Sequence, residues 1–145
     1  MSLFSVLSVS ASGMSAQRTR AELLVENLAN SETTHTPEGG PYKRKDAVFS
    51  SAPQTSPFGA IFQTEMSAGV TGVQVSEVIE NPLPGDKRYI PGHPDADPDG
   101  YVTFPRVDPS ADMVDLLGAS RGFEANIAAM TAIKDMINHS IDLLK

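Results

Sequence analysis

Residues 108–145 read DPSADMVDLLGASRGFEANIAAMTAIKDMINHSIDLLK, and this stretch decides the fold. Steps of three and four residues from Met113 meet Leu116, Ser120, Phe123, Ile127, Met130, Lys134, Ile137, Ile141 and Leu144. Only Ser120 and Lys134 break the apolar run, which is the spacing of a coiled-coil seam. Asp108 supplies an N-cap acceptor, and Pro109 is the residue best tolerated at the first helical position. The spacing predicts a helix opening near Pro109 and running close to Lys145. Gly118 and Gly122 interrupt it, each at about 1 kcal/mol relative to Ala, and are read as close-packing positions.

The other chain end repeats the pattern. Leu3, Leu7, Ser10, Met14, Gln17, Ala21, Leu24 and Leu28 form a second seam, apolar at all but Ser10 and Gln17. Asn27-Leu28-Ala29-Asn30-Ser31 ends it, with Asn30 expected in the left-handed conformation that closes a helix. Pro37 and Gly39-Gly40 prevent a restart. At 1.5 Å per residue the two helices would be roughly 40 and 50 Å long.

Between them, residues 31–107 hold every proline except Pro109 and only short runs of strand character. These are Tyr42 to Phe49, Ala60 to Met66, Val70 to Ile79 and Tyr101 to Phe104. A few short antiparallel strands are expected, with a hairpin through Gly39-Gly40-Pro41. The fold class is therefore mainly α with a β-containing middle. Long helices at 1–30 and 108–145 pair as a coiled coil, and a small irregular strand-and-loop segment occupies 31–107.

The net charge of −7 offers no broad basic field to a phosphate backbone, which argues against nucleic acid as a partner. The one dense basic run, Lys43-Arg44-Lys45, reads as a solvated strand or loop. With no cysteine, neither disulfides nor thiolate metal sites are available. Met1 to Ala16 lacks the charged and continuous apolar parts of a cleaved secretory signal, and no stretch is long enough to insert into a bilayer.

Catalytic and metal constellations are poorly supported. Asp95-Ala96-Asp97-Pro98-Asp99-Gly100 resembles the opening of a calcium loop, but its twelfth position is Arg106 rather than Glu. Turn chemistry explains the same residues. His35, His93 and His139 have no ligand-like spacing, and no nucleophile elbow or phosphate-binding loop is present. No cofactor, metal or enzymatic activity is expected.

Several blocks carry a resemblance to a known family. Asn27-Leu28-Ala29-Asn30 resembles the Asn-x-Ala-Asn signature of the flagellar axial proteins, the rod and hook subunits. Four further blocks are similar to the proximal-rod members of that family: residues 36–42, 72–78, 91–97 with 100–102, and 119–126. Arg106-Val107-Asp108-Pro109-Ser110 departs from the usual pattern. The resemblance implies a structural subunit of the basal body, exported unfolded and uncleaved through the flagellar type III apparatus and assembling in the periplasm. It implies terminal helices that build a tube around the export channel. Its partners would be copies of itself, other proximal and distal rod proteins and the junction with the rotor ring.

The residues support assembly on their own grounds. Both helices look too long for a small middle to cover, and surplus apolar surface marks a protein interface. The expected interface is Leu3, Leu7, Met14, Ala21, Leu24, Asn27, Leu28 and Asn30 on the first helix. On the second it is Met113, Leu116, Phe123, Ile127, Met130, Ile137, Ile141 and Leu144. A secreted binding module gripping a single partner is the competing reading, and a metal-dependent hydrolase at the acidic loop is the third.

Overall fold

The structure is a computed structural model that describes residues 3–53 and 71–143. Two long helices lie at the chain ends: α1, Leu3–Ala29, and α2, Pro109–Asp142. Between them the described residues form four strands: β1, Lys45–Pro53; β2, Thr71–Glu80; β3, Asp86–Tyr89; and β4, Tyr101–Phe104. They form two separate antiparallel ribbons, β1 with β2 and β3 with β4. The strand expected at Ala60 to Met66 lies outside the described residues.

The caps explain where the helices start and stop. The Asp108 carboxylate accepts from the backbone N–H groups of Ser110 (2.9 Å) and Ala111 (3.3 Å), and Pro109 fills the first turn. At the end of α1, Asn30 donates from both its backbone N–H (3.1 Å) and its side-chain amide (2.9 Å) to the Glu26 carbonyl. That corrects one expectation, because no residue other than glycine has positive φ among the described residues. Asn30 closes the helix through its side chain, not through a left-handed backbone.

No hairpin forms at Gly39-Gly40-Pro41. The Thr36 N–H donates to the Gly40 carbonyl (2.9 Å) and the Tyr42 N–H to the Thr33 carbonyl (3.0 Å), closing a compact loop. Gly39 and Gly40 have φ of 91° and 80°, backbone that a side chain would strain. β1 pairs instead with β2, with a bulge between Val48 and Phe49.

The helices pack antiparallel. A side chain at Gly13 would come within 2.9 Å of the Asn126 amide, and one at Gly122 within 3.2 Å of Gln17. Arg20 reaches Asp115 at 3.3 Å, so one helix ascends as the other descends. Gly118, read as a second close-packing position, meets nothing.

The β1–β2 ribbon lies along α1. The Asn27 side chain meets the backbone of Lys45 at one end, and the Ser12 hydroxyl accepts from the Val73 N–H (3.1 Å) at the other. Fifteen residues of helix span roughly 22 Å, and the six strand steps from Lys45 to Ser51, the partner of Val73, span roughly 20 Å. The matching lengths let the ribbon stay on the helix. It follows that α1 is covered from two sides between Ser12 and Asn27, so the middle covers more of this helix than its length alone implies. No helix among the described residues is long and apolar enough to cross a membrane.

Candidate assembly surface

The inward face of α2 follows a clean pattern of fours and threes. Asp112, Ala119 and Ile133 are buried, with Leu116, Phe123, Asn126 and Met130 half-buried between them and Ile137 half-buried beyond. This is the sequence seam with one of its two rows moved back by one residue. Leu116, Phe123, Met130 and Ile137 lie on the inward face, whereas Met113, Ile127 and Ile141 are 57%, 45% and 50% exposed. The two residues that broke the apolar pattern, Ser120 and Lys134, are exposed, and Ala119 and Ile133 take their places. Leu144 lies outside the described residues.

On α1 the seam keeps its phase. Ser10 and Leu24 are buried, and Leu7, Met14, Ala21 and Leu28 are half-buried. Leu3 begins the helix, and its side chain lies outside the described residues. The exposed positions Ala11, Ser15, Arg18, Glu22, Val25 and Ala29 form the opposite stripe. Arg18 and Glu22 pair there at 2.8 Å, one helical turn apart.

A second stripe on α2 escaped the sequence reading. Val114, Gly118, Ala125, Ala129, Ala132, Met136 and Leu143 are all exposed. Their spacings are three, four or whole heptads, so at 100° per residue they share one face, rotated by more than a quarter turn from the inward one. Val114 is 71% exposed and Leu143 87%. The row is built mostly of alanine and glycine, so hydrophobic spacing marks it weakly beside the large residues of the seam, and only a spacing of small residues shows it. A helix apolar on two faces calls for cover on both, and α1 covers one.

The start of β1 is the knot that holds the elements in place. Asn27 is fully buried. Its amide donates to the Lys45 carbonyl (2.8 Å), and its oxygen accepts from the Lys45 N–H (2.9 Å) and the Tyr42 hydroxyl (2.9 Å). An asparagine side chain thus does for β1 what a neighbouring strand would do. Burial, then the Glu26, Glu80 and Asp112 charges, push the Tyr42 phenol up to about 12. The nearby Asn30 is half-buried and spends its amide on the helix end.

The basic run is less solvated than its sequence implied. Arg44 reaches the buried Asp112 at 2.8 Å and also pairs with Asp46, while Lys45 meets Glu26 at 2.6 Å. The hydrogen bond to Asp112 raises the Arg44 pKa, and that to Glu26 raises Lys45. Asp112 is only 2% exposed. It sits in the first turn of α2, where the helix dipole favours a carboxylate, and Arg44 binds that turn to β1.

The acidic loop is built as a turn. The Gly100 N–H donates to the Asp97 carbonyl (2.8 Å), with Gly100 at φ 82°. The Asp97 N–H donates to the Tyr101 carbonyl (2.8 Å), and the Asp95 carboxylate accepts from the Thr34 hydroxyl (2.7 Å). Among the described residues no group of three or more His, Cys, Asp or Glu is arranged to hold a metal ion.

Comparison with known proteins points one way. A family model described as the C-terminal region of the flagellar basal body rod FlgEFG proteins matches residues 99–143. The chain is 38% identical to the flagellar basal-body rod protein FlgC of Bacillus subtilis, covering the whole of both chains. It is 35% identical to FlgC of Borreliella burgdorferi, covering 100% of this chain and 99% of the relative. To FlgC of Aquifex aeolicus it is 34% identical, with the same coverage.

Proposed function

The chain belongs to the FlgC family of flagellar basal-body rod proteins, and we propose that it builds the rod by burying the second stripe of α2 against neighbouring subunits. The role of the family is structural, not enzymatic. The finer assignment makes this chain a subunit of the proximal rod in the periplasm. There the terminal helices line the export channel and interlock as a coiled coil continued between molecules. The partners are further copies, other rod proteins and the junction with the rotor ring.

The observation that carries this reading is the exposed row from Val114 to Leu143. Its alanines and glycine admit close approach of another helix, and its ends carry the larger Val114, Met136 and Leu143.

Passage through the type III apparatus, unfolded and uncleaved, completes the proposal. The pairing of α1 with α2 suits a chain that must be threaded and refolded. Its interior includes Ser10, Asn126 beside Gly13, and Gln17 beside Gly122. Among the described residues, the buried Gln17 side-chain oxygen accepts no hydrogen bond. Such a polar interior gains little from burial alone, so the helices acquire much of their stability from neighbours.

A density map of isolated basal bodies tests the assignment. It should place α1 and α2 innermost, with the Val114 to Leu143 row against another subunit. A map with that row facing open solvent would overturn it.

A further inference from the structure

Although the chain carries 18 acidic residues against 11 basic ones, one groove of about 320 Å³ has no acidic residue in its walls. It runs between the loop before β1 and the β3–β4 ribbon, and Lys43, Arg44, Lys87 and Arg106 line it, together with Pro82 and Pro84. Arg44 is engaged by Asp112 and Asp46. Lys43, Lys87 and Arg106 are exposed and have no carboxylate partner among the described residues.

The complementary feature lies elsewhere on the same chain. Asp97 and Asp99 are exposed on either side of Pro98, and neither side chain meets a cation among the described residues. Their loop is braced by the bond from Thr34 to Asp95 and by the Asp97–Gly100 turn, so residues 97–99 form an exposed prong held in shape by these bonds. Two residues of extended chain span at most about 7 Å, which lets both carboxylates enter one groove. A prong that is already ordered loses little entropy on docking.

We propose that the groove receives the Asp97-Pro98-Asp99 prong of a second copy of this chain. The inference rests on the reading of the chain as a rod subunit and adds a contact made by its outer segment. Copies carrying a charge of −7 repel one another in general, so a local cationic groove fixes where and in which orientation they meet. Groove and prong are different surfaces. The contact is therefore head-to-tail, and it propagates as an open array where a self-complementary patch would close a dimer.

The test uses rods assembled from the full chain, treated with a carbodiimide that joins amines to carboxylates in direct contact and read by peptide mass spectrometry. Links from Lys43 or Lys87 to Asp97 or Asp99 are expected. Reversing the groove (Lys87→Glu with Arg106→Glu) or the prong (Asp97→Lys with Asp99→Lys) should each cut rod yield severalfold. Both reversals in one chain should restore it, which a merely misfolded variant could not do. Rods in which α2 packs on its neighbours but no such link forms would overturn this contact and leave the helical assembly standing. Links from Lys87 to a different rod protein, single reversals without effect, or failure of the combined reversal would also overturn it.

Discussion

Replacing Ala129 by Glu separates the stability of the subunit from that of the rod. Ala129 lies mid-way along the exposed row of α2, so the longer side chain extends from an exposed position. The expected cost to the monomer is that of helix propensity, below about 0.5 kcal/mol. In the rod the same side chain must fit where a neighbouring helix approaches an alanine. Overpacking there costs about 1–3 kcal/mol, and an unpaired buried carboxylate costs several more. A total of about 4 kcal/mol corresponds to nearly three decades in the association constant of each contact. The variant should melt within about 2 °C of the parent and keep its circular dichroism, yet form no rods when it is the sole copy in a swimming strain. Lys134→Glu, a charge change at an exposed position outside that row, should leave rods intact. Normal rods and normal swimming with Ala129→Glu would refute the reasoning, and so would a collapse of the purified variant's helix content.

Three further outcomes follow from the knot at the start of β1. Asn27→Ala leaves the Lys45 backbone groups without their partner, at about 2–4 kcal/mol. Thermal denaturation should show a fall of roughly 5–15 °C. Arg44→Ala strands the carboxylate of Asp112 in a site 2% exposed, an expected loss of about 3–5 kcal/mol in denaturant titration. Adding Asp112→Ala should recover part of it. The Tyr42 phenol, raised from 10 to about 12, holds its proton more tightly in the folded chain. Its contribution is complete below pH 10 and is lost as the pH rises from 10 through 12, on the order of 2–3 kcal/mol in all. Tyr42→Phe should flatten the decline of stability across that window, whereas an unchanged slope would mean that other groups cause it.

The helices were legible because their signals are local. Asp108-Pro109 marks a helix start within three residues, and the rows of fours and threes need no knowledge of the partner. The phase of α2 was harder to read. Hydrophobicity favours Ile127 over Asn126, yet Asn126 faces Gly13, and the lack of a side chain at Gly13 makes room for the amide. That choice depends on a residue more than a hundred positions away. The same holds for Asp112, whose burial makes sense only with Arg44 beside it. β3 was missed because Asp86, Lys87, Arg88 and Tyr89 are all exposed and show no alternation. It is held by pairing with β4, by the Arg88 guanidinium over the Phe104 ring and by the edge contact of Tyr89 with Tyr101. The Asn27 signature was visible as a pattern, but its work, pinning Lys45 and Tyr42, became clear only in three dimensions.

Because the chain has no cysteine, Val114→Cys places a single thiol on the exposed row, and its rate of maleimide labelling reports cover directly. Reaction should be fast in the dilute monomer and strongly suppressed in isolated rods. Equal labelling rates in the two states would contradict the claim that neighbouring subunits bury this face.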